Sequence, residues 1–166
     1  MLCVISVPCT VEAQAYGAND RNQTRYAYVK LKGVAVFQAS WFGEFSRYRG
    51  VNVVVVNPAD CTMQSRRNFD THAVGSPASR LRNYIQGLSD GTVLVGVSCD
   101  EPTKELDPAE ATLTALGADV SDVRWRGAFA FVAEIGDPSK TVLDKELTQA
   151  MSNARQPKVN VSFGGA

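Results

Sequence analysis

Within residues 98–107, SCDEPTKELD, four acids crowd together, and Asp100 and Glu101 are adjacent. Neighbouring carboxylates are hard oxygen donors. Calcium takes roughly six to eight such oxygens from carboxylates, carbonyls and water, and the same groups accept hydrogen bonds from sugar hydroxyls. Pro102 follows directly and stiffens the presentation of Glu101. The competing reading is a solvated loop entering a helix, with Asp107 as the helix cap and Glu105 in water. On pattern alone both readings stay open.

Other chemistries find less support. The chain has one histidine, His72, so a Cys–His or Ser–His arrangement would have to use it, with Cys61 or Cys99 as the thiol. Paired or buried cysteines are the simpler account. Asp100 and Glu101 lie near Glu105 and Asp70 in sequence, but adjacency cannot set the separation that glycoside hydrolysis needs. Glycine-rich phosphate loops of the GxGxxG or GxxxxGK[ST] type are absent, which removes a nucleotide site. The expectation is a binding protein and not an enzyme.

These residues must be held by the elements around them. At 166 residues the chain suits one domain. "VNVVVVN" and "TVLVGV" are nearly continuous apolar runs, as in strands covered on both faces. Between them Ser76 can cap a helix over residues 77–88, with Pro77 in its first turn and Leu81, Tyr84, Ile85 and Leu88 on one face. A second helix opens at Asp107–Pro108 and stops at Gly117. "RYAYVKLKGVAVFQ" reads as two half-buried strands about Gly33, while "AFAFVAEIG" and "KVNVSF" supply further strands. Residues 141–155 carry the spacing of a third helix. The sum is an α/β fold: a single-domain mixed sandwich with a parallel, right-handed central βαβ unit and additional antiparallel strands. Residues 1–25 read as a loosely attached arm, and 26–166 as the domain.

Lysine and arginine total 17, as do aspartate and glutamate, so no global field favours nucleic acid. No run approaches the roughly 20 apolar residues of a membrane span, and "MLCVISVPC" lacks the basic start of a signal peptide. The chain therefore reads as a mature, soluble form without membrane insertion. Four cysteines and two glycosylation acceptor patterns, at Asn22 and Asn160, point to a secreted, extracellular protein. Cys61 and Cys99 each follow one of the two central strands and could pair. Cys3 or Cys9 would then be free to link two chains as a disulfide homodimer.

The order of "RGVNVVVVN", "NFDTH", "LRNYIQGLSDGTVLVGVSCDEPTKELDPAEATLTALGA" and "RWRGAFAFVAEIG" resembles the GG domain. That domain occurs in the interleukin-like EMT-inducer family, in hyaluronan-related cell-surface proteins and in the stem of protein O-mannose N-acetylglucosaminyltransferase. The likeness spans residues 26 to about 137. Phe69-Asp70-Thr71 matches a family segment in which His72 replaces an aromatic; Asp100-Glu101 matches its acidic pair; Trp125-Arg126-Gly127 matches in part, Gly127 standing where an acid is expected. The resemblance implies a sugar site at Asp100, Glu101 and Arg126, with Trp125 or His72 nearby. The chain is also similar to small calcium-dependent, galactose-binding lectins of marine invertebrates. That likeness implies calcium on Asp100 and Glu101, completed by the hydroxyls of a terminal galactose. The alternative it leaves is a cytokine-like signalling or interaction ligand.

Overall fold

The computed structural model describes residues 8–18, 25–40, 47–147 and 155–164. Its centre is β5 (Gly50–Asn57), flanked by β6 (Thr62–Phe69) and β7 (Val93–Asp100). Both neighbours run antiparallel to β5, with Val56 opposite Val93 and Gly50 opposite Cys99. The parallel βαβ unit expected of β5, helix and β7 is therefore corrected, and with it the α/β class: the protein is predominantly antiparallel β.

The cause is β6. Its sequence, TMQSRRNF, has no apolar alternation because it is an edge strand, with only Phe69 buried. It folds back on β5, so helix α1 (Pro77–Gln86) starts from the opposite end of the sheet from the one β5 reaches. The two strands that α1 joins, β6 and β7, do run the same way, but β5 lies between them.

β8 (Ala128–Glu134) and β9 (Asp137–Glu146) complete the first sheet, in the order β6-β5-β7-β8-β9. Residues 141–146 are thus strand and not helix, because Val142 and Leu143 pair with Val132 and Phe131 of β8. Residues 148–154 of the expected helix lie outside the described residues. The second sheet has the order β10-β1-β3-β4, built from β10 (Lys158–Phe163), β1 (Cys9–Gln14), β3 (Tyr26–Leu31) and β4 (Val34–Ser40).

Three layers result. Val54 and Val56 of β5, with Val93, Val95 and Val97 of β7, pack on Val11, Ala13 and Val29 of the second sheet. Val51, Val53 and Val55, with Leu94, Phe129 and Phe131, face Leu81 and Ile85 of α1 and Leu113 of helix α2 (Asp107–Ala115). A strand covered on both sides needs apolar residues at every position, which is why the valine run is continuous. Pro77 and Pro108 sit in the first turns as read, but neither Ser76 nor Asp107 caps through its side chain. Gly117 adopts φ +85° after α2, the left-handed stop expected of it.

Residues 9–17 are no loose arm. β1 lies between β10 and β3, and Cys9 forms a disulfide with Cys61 across a Cα separation of 5.1 Å. The expected Cys61–Cys99 pairing fails for the same reason as the parallel unit. Antiparallel strands put Cys61, just beyond the end of β5, and Cys99, opposite Gly50, at opposite ends of the sheet. Cys99 is a buried free thiol. With Cys9 paired, the expected cross-link between chains would fall to Cys3, which lies outside the described residues.

Candidate functional site

At the end of β7 a two-residue strand, β2 (Tyr16–Gly17), pairs with it in parallel, Tyr16 beside Cys99 and Gly17 beside Asp100. The Ala18 N–H donates to the Asp100 carbonyl at 2.8 Å. Only glycine fits at position 17, since a Cβ there would come within 2.3 Å of the Arg126 carbonyl oxygen. The segment read as an arm is therefore wedged between the acidic loop and the Trp125–Arg126 turn. Asp100 (φ 64°) and Arg126 (φ 63°) both hold left-handed backbone, costly for residues with a Cβ and common where a binding site over-determines geometry.

Between these turns opens a cleft of about 300 Å³ lined by Ala18, Arg25, His72, Asp100, Glu101, Trp125 and Arg126. All five residues expected from the sequence meet there. Ala18 and Arg25 were not foreseen, because nothing in their own spacing marks a site; Ala18 directly follows β2 and Arg25 directly precedes β3.

His72 arrives on a loop with two anchors. The Thr71 hydroxyl donates to the Pro102 carbonyl at 2.6 Å, and the Glu105 N–H donates to the Thr71 carbonyl at 2.9 Å. Asp70 accepts the Arg49 fork, Nε at 2.9 Å and Nη2 at 2.7 Å, and also the His72 N–H at 3.3 Å. Burial pushes the Asp70 carboxyl upward, but the bonds and charge of Arg49 outweigh it and hold the group below its ordinary range. The His72 ring lies 5.8 Å from that of Trp125, and the Arg126 guanidinium 5.8 Å from the same indole.

The two acids behave differently. Glu101 is 2% exposed. Its Oε1 accepts the Thr103 N–H at 2.7 Å and the Thr103 hydroxyl at 2.6 Å, while Oε2 accepts the Arg126 N–H. Asp100 is 8% exposed, and no described residue donates a hydrogen bond to its carboxylate. Burial raises its pKa, Arg49 opposes the rise, and the charge of Glu101 adds to it.

Among the described residues no group of three or more His, Cys, Asp or Glu is placed to hold a metal. The donor set fits calcium only as a shared site. Asp100 offers a carboxylate that no described residue donates to, Glu101 keeps lone pairs beyond its three hydrogen bonds among the described residues, and the remaining oxygens have to come from backbone, water or a ligand. Cys99 sits behind the cleft floor, fully buried, with its thiol pushed far up by burial and then by Asp100. Both effects favour the neutral thiol over the nucleophilic thiolate.

The family described as interleukin-like EMT inducer matches residues 49–137, which include every cleft residue except Ala18 and Arg25. The human cell migration-inducing and hyaluronan-binding protein is 30% identical over 125 residues, covering 74% of this chain and 9% of that protein; its mouse counterpart is 29% identical over the same length. A cell surface hyaluronidase of Danio rerio is 28% identical over 111 residues, 65% of this chain and 8% of that protein. The chain thus spans less than a tenth of the length of the curated relatives it matches.

Proposed function

The chain belongs to the interleukin-like EMT inducer family, and from that premise we propose that it is a secreted carbohydrate-binding protein whose ligand sits in the cleft at the end of β7. One observation carries this reading: a buried carboxylate that meets no donor among the described residues, at Asp100, faces the same cleft as an exposed indole and two arginines. Sugars need that mixture. Trp125, 41% exposed, offers a flat face to the apolar side of a pyranose. Asp100 accepts from hydroxyls, and Arg126 and Arg25 donate to hydroxyl and ring oxygens.

The ligand proposed is a terminal galactose, whose axial hydroxyl leaves one face of the ring apolar for the indole. Calcium, held by Asp100 and Glu101, would supply a cation to the sugar's vicinal hydroxyls and offset the repulsion between the two acids. The role is binding without turnover. Secretion agrees with the Cys9–Cys61 disulfide, a bond favoured in oxidising compartments, and among the described residues no helix is long and apolar enough to cross a membrane. If two chains are covalently joined, Cys3 is the residue that would join them.

A second reading has its own support. The arginines suit an acidic sugar, and the human and mouse relatives are named for binding hyaluronan. A glycan array carrying galactose-terminated and hyaluronan oligosaccharides, run with calcium and with chelator, separates the readings. Galactosides retained only with calcium is the expected result. Hyaluronan bound regardless of chelator favours the second reading. No glycan bound under either condition overturns both and leaves a protein-directed signalling or interaction ligand.

A further inference from the structure

A second cleft, of about 160 Å³, lies where β4, an edge of one sheet, meets β6, an edge of the other. Its walls include Phe37, Tyr48, Arg47 and Arg66, and its floor holds Asn52 and Asn68. Among the described residues no acid lines it, whereas Arg47, Arg66 and Arg67 do. In a chain with 17 basic and 17 acidic residues, that is a local excess of basic side chains in the described lining.

The floor is already rigid. Asn52, 3% exposed, donates to the Tyr48 carbonyl at 2.7 Å and accepts from Asn68 Nδ2 at 3.0 Å; Asn68 also donates to the Arg49 carbonyl at 3.0 Å. These bonds use the donors of Asn68 and leave its Oδ1 without a partner among the described residues. Arg66 is exposed, meets the Val36 carbonyl at 3.3 Å through Nη1 alone, and pairs with no acid among the described residues. The Arg47 guanidinium lies 5.3 Å from the Tyr48 ring centre. Arg67 also borders the cleft, and its guanidinium lies 5.4 Å from the Tyr84 ring centre.

The geometry points to an oxyanion subsite: the cleft takes a carboxylate or sulfate substituent of an acidic glycan, with Arg66 as the donor and Asn68 Oδ1 accepting a neighbouring sugar hydroxyl. Size supports a substituent and not a whole ligand, since 160 Å³ falls below the roughly 300 to 1,000 Å³ of ordinary small-molecule pockets. The planar fork of arginine matches the oxygens of either anion. A free hydroxyl acceptor beside the arginines favours a sugar over a bare anion. The subsite shares no residue with the Asp100 cleft and does not depend on the function assigned there.

Titration of the whole chain with chondroitin sulfate and hyaluronan tetrasaccharides, followed by NMR, tests it. Arg66→Ala should weaken binding about tenfold or more, the usual loss for a charge-assisted hydrogen bond. Lys140→Ala, which removes the same charge from β9, should leave it unchanged, and resonances of Asn68 and Tyr48 should shift in the wild type. Binding of both tetrasaccharides makes the carboxylate sufficient; binding of the sulfated one alone assigns the sulfate. Equal losses in Arg66→Ala and Lys140→Ala reduce the effect to net charge and overturn the subsite, as does tight binding of a phosphopeptide of matched charge or no binding of either sugar. Lactose affinity retained in Arg66→Ala keeps this outcome separate from that of the first cleft.

Discussion

Glu101 accepts a hydrogen bond from the main-chain N–H of Arg126, 25 residues further on, and so joins the acidic loop to the turn that carries Trp125. Its neighbour Asp100 meets no donor among the described residues. One carboxylate therefore acts chiefly as a strut, and the other stays open to the ligand proposed above.

The two should respond oppositely to loss of charge. Glu101→Gln replaces an acceptor with an amide that cannot accept on its nitrogen, leaving a buried N–H or hydroxyl unsatisfied at a cost of about 1–3 kcal/mol. Asp100→Asn removes a buried charge and should leave stability at neutral pH unchanged or raised. Both should bind sugar poorly. Urea denaturation beside isothermal titration with lactose measures the split, and equal stability of the two variants would contradict it.

Acid should separate Asp70 from Asp100. Asp70, held below its ordinary range, contributes stability above the unfolded carboxylate pKa and loses it as pH falls through the lower folded value. Asp100, pushed up by burial, favours the fold below the unfolded pKa and loses that contribution as pH rises through the higher folded value. Stability curves between about pH 2 and 7 should therefore fall less steeply into acid for Asp70→Asn than for wild type, whereas Asp100→Asn should fall more steeply. Since the Arg49–Asp70 pair is partly exposed, its effect should stay near 1 kcal/mol or less.

The disulfide ties residues 52 apart in sequence, so the paired change Cys9→Ala, Cys61→Ala should cost roughly 4 kcal/mol through the freed loop. Because β1 leads directly into β2, sugar binding should weaken with it. Thiol titration should find Cys99 unreactive in the native protein and reactive in denaturant. Rapid native labelling would show that the floor behind the cleft opens.

Gly17→Ala and Trp125→Ala form a contrasting pair. The first forces a methyl against the Arg126 carbonyl, so stability should drop by about 1–3 kcal/mol and binding should be lost with the wedge. The second truncates a ring that is 41% exposed, so the melting temperature should hardly move while lactose affinity falls about tenfold. Trp125→Phe should restore part of the affinity, and full affinity in Trp125→Ala would place the sugar elsewhere.

Much of this protein was legible in its sequence because it is encoded locally. The valine run of β5, the apolar run of β7, the prolines opening both helices and the Gly117 stop are statements about a residue and its near neighbours, and each stands in the structure. The cleft residues His72, Asp100, Glu101, Trp125 and Arg126 were legible through the order of motifs that carries the family resemblance, and the fold brings all five together. Strand direction was not legible. It hangs on β6, a polar edge strand with water on its exposed positions and therefore no apolar period to read, and once β6 is missed β5 and β7 are taken as parallel. The Cys9–Cys61 bond, the conversion of residues 141–146 to strand, and the arrival of Ala18 and Arg25 at the cleft share that character. Each depends on partners far along the chain, whose proximity the packing of three layers decides and no local spacing records.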